Sequence, residues 1–352
     1  MKKKYLFLML TLVLVLGLAV LGCGNGTTDE VVDENGEVDE NGEEEVTGPR
    51  TVAIYTHNDE EEMQYFLEAL ERDTGIRGEI LRMSSGELWS RIEAENPNFG
   101  ADMVWGMMHS FALRAEEMDI LYEYDSPAWA DIPAEFKDPD GRWYGWSYWY
   151  NAVAVNTDLI ESAGYEPPAS WEDLLDPRWK GEIVAPDPGT SGTAYLIVAT
   201  IMQLMGEDAG WDYLYALHEN IDQYTKSGTA PAQMVAEGEY MIGLSWDMGV
   251  YNRVAEGYPM IAVIPSEGVG FDLDVAWIFN GAENLDTAKA VIDWIGSEDG
   301  MRAALDYRGM VTRAEVMDGE FEVNFIDYDA VWAAENRDRI MERWRDEFPY
   351  SE

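Results

Sequence analysis

One cysteine and three histidines in 352 residues leave little for thiol or soft-metal chemistry. Cys23 stands alone, so no internal disulfide can form. His57, His109 and His218 are too widely spaced to read as a histidine-rich zinc motif. Basic residues are also scarce, with 23 Lys plus Arg against 69 Asp plus Glu and a formal charge of -46. A chain of that sign repels phosphate backbones, which excludes nucleic-acid binding through a basic surface. Missing too are a Gly-x-Ser-x-Gly elbow and a His-Glu-x-x-His pair, so an exported hydrolase finds no motif to stand on and an enzyme is not expected. Apolar and aromatic residues are plentiful at 47% and 12%, enough for a large core. At roughly 150 residues per domain, the length suggests two lobes.

The N-terminus reads as an address. Lys2, Lys3 and Lys4 precede an uncharged apolar run, Tyr5 to Leu21, which is short for a membrane span and suits a signal peptide over residues 1–22. Cys23 follows Val20-Leu21-Gly22, a pattern resembling the bacterial lipobox, in which the cysteine is lipidated. Residues 24–48 hold ten acids and no base, so 23–49 is expected to be an acidic, disordered tether. Removing that segment and the three leading lysines leaves 59 acids against 20 bases, so the acidity belongs to the folded body.

From Thr51 the body alternates strand-like and helix-like runs. Residues 51–56, 77–83 and 101–105 read as strands, and helices are expected after Asp59, after Ser84 (through a Ser84-Ser85-Gly86-Glu87 cap) and over 109–118. A second series places strands at 181–185, 223–225, 240–246, 260–264 and 272–279. Between and after them fall helices at 190–205, 207–220, 230–237, 285–295, 298–305 and 328–345. This rhythm implies an α/β fold with mainly parallel sheets covered by helices.

The order and spacing of several segments resemble the substrate-binding proteins of bacterial ABC importers. These are Val52-Ala-Ile-Tyr-Thr-His-Asn, Ala101-Asp-Met-Val-Trp, Asn151-Ala-Val-Ala-Val-Asn, Trp171-Glu-Asp-Leu-Leu-Asp-Pro-Arg-Trp and Asp187-Pro-Gly-Thr-Ser-Gly-Thr. The likeness is to the branch of ferric-ion, phosphonate and sugar-phosphate binders. It implies a two-lobe type 2 periplasmic-binding fold, with lobe 1 at 50–150 plus 276–352 and lobe 2 at 151–275. Two crossover strands near 148–156 and 272–279 would join the lobes. It also implies a monomer anchored outside the cytoplasm through its lipid alone, whose partners are a small solute, a permease and an ATPase. A sensory role would leave the same sequence.

Three features bear on the solute. Thr190, Ser191, Gly192 and Thr193 sit between a strand and a long helix, where free amides and hydroxyls can hold an anion or simply cap the helix. The resemblance adds that iron-type relatives hold phosphate at this place, and that Ser227 falls at another anion-contacting position. Ferric relatives place tyrosines and a carboxylate where this chain reads Trp246-Asp247 and Met107-Met108, so ferric iron is disfavoured and no metal is expected. The run from Trp143 to Asn151 offers aromatic walls, with Trp146, Tyr148 and Tyr150 on one strand face and Ser147, Trp149 and Asn151 on the other. Asp247 would meet a substrate amine. His57, Asn58 and Ser85 lie at the carboxyl edge of the first strands, where such folds bind ligands or cap helices. The expected cargo is a phosphonate or sugar phosphate, with a ferric-ion or polyamine-type binder as the alternative.

Overall fold

The computed structural model describes residues 50–317 and 323–348. The signal peptide, Cys23 and the acidic tether lie outside the described residues.

Lobe 1 opens with β1 (Thr51–Thr56), α1 (Glu60–Thr74), β2 (Arg77–Arg82), α2 (Ser85–Glu95), β3 (Met103–Met108) and α3 (His109–Glu117). Three glutamates in the first turn of α1 face the positive end of its dipole, and Gly75 ends the helix in the left-handed conformation. β1 runs parallel to both β2 and β3. β3 is buried along its whole length, as a central strand covered on both faces must be.

A single 13-residue strand, β4 (Tyr144–Asn156), then crosses between the sheets. Lobe 2 contains α4 (Thr157–Ala163), β5 (Ile183–Pro186), α5 (Gly192–Met205), α6 (Glu207–His218) and β6 (Ile221–Thr225). It continues with α7 (Ala230–Ala236), β7 (Ile242–Trp246), α8 (Asp247–Ala255) and β8 (Met260–Val263). β9 (Phe271–Ile278), α9 (Leu285–Gly296) and α10 (Glu298–Leu305) return to lobe 1, and α11 (Ala330–Glu347) closes the described chain.

Pairing shows how the lobes join. Residues 144–150 of β4 pair with β9, whereas 151–156 pair with β7 and β8, so the first crossover strand belongs to both sheets. The strand order is β2-β1-β3-β9-β4-β7-β5-β6, with β8 also on β4. β9 pairs with lobe 1 strands from Phe271 onward, so the second crossing precedes it, several residues before the expected boundary at 275/276. A second difference concerns α11. Ala333, Ile340 and Trp344 lie in one buried cluster with Tyr195 and Trp211 of α5 and α6, which is the core of lobe 2 and not of lobe 1. The helix still touches lobe 1, because buried Arg337 lies 4.5 Å from the Phe111 ring of α3 and 4.1 Å from the Tyr195 ring of α5.

Candidate interlobe binding crevice

The crevice begins with the loop from β5 to α5. Asp187 organises it: its carbonyl accepts from the amides of Thr190 (3.2 Å) and Ser191 (2.8 Å), and its carboxylate accepts from the Gly189 amide at 2.6 Å. Ser191 is the N-cap of α5, with Oγ accepting from the Ala194 amide at 3.4 Å. That leaves the Gly192 and Thr193 amides at the positive end of the helix. The first turn of α5 carries no acidic side chain, in a chain with 69 acids. Close beside it, a Cβ on Gly228 would stand 2.1 Å from Thr193 Oγ1, so only glycine lets Ser227-Gly228-Thr229 complete this wall.

The opposite wall comes from lobe 1. His57 directly follows β1, and its Nδ1 lies 2.7 Å from Ser85 Oγ while Nε2 lies 2.7 Å from Asp274 Oδ1. Ser85 therefore serves as a hydroxyl held by His57. The Ser84 side chain makes no capping hydrogen bond, so the cap expected over residues 84–87 does not form through it. Together these residues line a crevice with about 440 Å³ of empty space, counting its open mouth. The lobes already touch across it, through the Gly86 amide on the Thr190 carbonyl (3.0 Å) and Thr229 Oγ1 on Asp59 Oδ2 (2.8 Å).

The floor is charged but internally balanced. Arg308, 5% exposed, donates to both oxygens of Glu62 at 2.5 and 3.1 Å and reaches Asp274 Oδ2 at 2.7 Å. Its guanidinium stands 5.1 Å from the Trp146 ring and 4.9 Å from the Trp246 ring, within cation–π reach of an indole from each lobe. Burial works against its charge, but Glu62 and Asp274 push its pKa above the ordinary range. Burial pushes Glu62 up to about 7 against the pull of Arg308. Burial also opposes ionisation of Asp274, but Arg308 and then His57 hold it below the usual carboxylate range. Arg82 is likewise taken, donating to Asp59 at 3.0 Å. With both arginines paired, free donors for an anion are the helix amides and the hydroxyls of Ser191, Thr193 and Ser227, while the Thr229 hydroxyl is spent on Asp59 and that of Ser85 is held by His57.

Of the residues expected from sequence, His57, Asn58, Ser85, Ser191, Gly192, Thr193, Ser227 and Trp246 line the crevice together. Four do not. Thr190 turns its hydroxyl to the Lys226 carbonyl (3.1 Å). Trp146 is buried in the lobe 1 core, edge-on to Phe66 and behind Arg308. Tyr148 stacks on Phe136. Asp247 faces a different cavity, so a substrate amine in the crevice would meet Asp59 or Glu62 instead. The indole that does reach the crevice from β4 is Trp149, on the alternate face of the strand. Sequence reasoning missed Asp59, Glu62, Arg82, Asp274 and Arg308. The one available signal was Asp272-Leu-Asp274 in an otherwise apolar strand. Among the described residues, no group of three or more His, Cys, Asp or Glu is placed to hold a metal ion.

Residues 100–329 match the family of bacterial extracellular solute-binding proteins. A Sinorhizobium fredii relative described as a probable ABC transporter periplasmic-binding protein, y4fP, is 29% identical over 267 residues, covering 72% of this chain and 71% of its own. The periplasmic binding protein AfuA from Actinobacillus pleuropneumoniae, with exogenous fructose-6-phosphate bound, matches at a TM-score of 0.80 and 33% identity, covering 84% of this chain and 98% of AfuA. Iron-bound HitA from Pseudomonas aeruginosa shares the fold at a TM-score of 0.73 and 20% identity, over 85% and 99% of the two chains. The chain belongs to the bacterial extracellular solute-binding proteins, with their two-lobe periplasmic-binding fold. Within that class it is the solute-binding component of an ABC importer. Among the described residues, no helix is long and apolar enough to cross a membrane.

Proposed function

We propose that the crevice captures a small organic anion, a sugar phosphate or phosphonate, and closes over it by lobe rotation. The observation that carries this reading is the start of α5, where amides and hydroxyls face the crevice with no acidic side chain in the first turn. Asp59 and Glu62 can accept from the hydroxyls of a polyol, and Trp149 and Trp246 offer flat apolar faces, which suits a phosphorylated sugar. The fructose-6-phosphate bound to AfuA, 33% identical, supports the same class. Ligand bridging both walls gains contacts that an open form lacks, so binding shifts the population toward closure.

The protein itself is a monomer tethered outside the cytoplasmic membrane by a lipidated Cys23, and it binds without turnover. Cys23→Ser should release it from the membrane fraction, and continued retention would overturn the anchor. Native mass spectrometry of freshly purified protein tests the cargo. A retained mass that fragments to phosphate or phosphonate is expected, and a retained metal ion or polyamine would contradict the reading. Recovery of an added phosphate ester unchanged separates capture from hydrolysis, the alternative that the Ser85–His57–Asp274 line raises.

A further inference from the structure

Behind the crevice, on the far side of Arg308, lies a larger cavity with about 1080 Å³ of empty space, counting its open mouth. Asp247, Met248 and Tyr251 of α8 form one side, and Leu305, Gly309, Met310, Val316 and Met317 form the other, with Tyr150 of β4 between them. The lining is apolar apart from two phenols, Arg308 and one carboxylate, Asp247, which is 2% exposed. That carboxylate receives only a long bond, 3.4 Å, from the Tyr150 amide outside its own helix turn, and forms no ion pair among the described residues. Arg308, the nearest cation, is committed to Glu62 and Asp274. Gly309 keeps the wall beside the carboxylate free of a side chain, because a Cβ there would press on Met248 Sδ at 3.3 Å and touch Asp247 Oδ2 at 3.7 Å.

A mostly apolar cavity with a few convergent polar groups is the usual form of a small-molecule site. A buried carboxylate held by backbone amides and lacking an ion pair favours a cation that supplies one. Methionine thioethers favour aromatic rings, with sulfur about 5 Å from the ring. We propose that this hinge-side cavity is a second ligand site and that it takes an arylalkylamine, its ring among Met248, Met310 and Met317 and its ammonium on Asp247.

The walls come from both lobes, so the cavity changes shape as they rotate. Arg308 lines this cavity and the crevice alike. A ligand here therefore binds open and closed forms unequally, and coupling to the crevice ligand is reciprocal. This inference does not depend on the identity of the crevice solute.

The test is titration of the full chain with phenethylamine by saturation-transfer NMR, with no crevice ligand present and 3-phenylpropionate as the anionic control. Saturable binding of the amine is expected at about millimolar affinity, as suits nine non-hydrogen atoms, with at least tenfold preference over the acid. Asp247→Asn should weaken the amine at least tenfold. Met317→Trp, which fills the cavity and leaves the carboxylate in place, should do the same. Ser191→Ala with Thr193→Ala should leave it unchanged. No saturable binding, equal binding of the acid, or affinity unaffected by both cavity variants would overturn the proposal.

Discussion

Arg308 of lobe 1 lies 4.9 Å from the centre of the Trp246 ring of lobe 2 and 5.1 Å from that of Trp146. This buried cation neutralises two acids and fills the seam between the lobes, which leaves the α5 amides as the crevice's unmatched positive feature. Arg308→Met should cost about 3–5 kcal/mol, because Glu62 and Asp274 would be left buried without their partner. Urea unfolding monitored by tryptophan fluorescence checks it, and a loss below about 1 kcal/mol would show that the two acids find other partners.

Closure depends on a close approach of the glycine-bearing start of α2 to the loop that holds Gly189. A Cβ on Gly86 would lie 2.4 Å from the Gly189 carbonyl oxygen and 3.2 Å from Thr190 Cα, and backbone cannot swing aside as a side chain can. Gly86→Ala should thus wedge the lobes apart while leaving each lobe folded. We expect a larger radius of gyration by solution X-ray scattering and at least tenfold weaker solute binding, with an unchanged melting temperature. Equal scattering curves would contradict this.

Asp272 is buried beside Asp274. It accepts the Leu273 amide at 2.8 Å, and its Oδ2 has no hydrogen-bond partner among the described residues. Burial first, with Asp274 adding, pushes its pKa up to about 8 despite the opposing pull of Arg337. The folded value exceeds the unfolded one, so stability from this group is complete below about pH 4 and is lost as pH rises toward 8. Asp272→Asn should change little at pH 4.5 and stabilise by on the order of 2 kcal/mol at pH 9. Thermal melts at the two pH values check it, and a gain that is equal at both would refute the cause.

Strand and helix positions were largely legible because periodicity and caps are local. What could not be read was direction. The aromatic run on β4 allowed either face to meet solute, and a register shift between Gly145 and Ser147 separates Trp146 from the alternation that follows. Trp246 and Asp247 are neighbours at a strand-to-helix junction, yet they line different cavities. Arg308 and Glu62 are 246 positions apart, a pairing no spacing rule reveals. The apolar stripe of α11 announced burial but could not say against which lobe. The α5 loop was readable because its chemistry, a capped helix start beside glycine, is contained in a few consecutive residues.

The most direct measurement is calorimetric titration of the protein with fructose 6-phosphate, 2-aminoethylphosphonate, free fructose and ferric citrate. At least one of the first two should bind, and the Ser191→Ala with Thr193→Ala variant should weaken it by about 1–3 kcal/mol without abolishing it, since the backbone amides remain. Binding of fructose or iron alone, with indifference to both phosphorus-bearing ligands, would contradict an anion site at the start of α5.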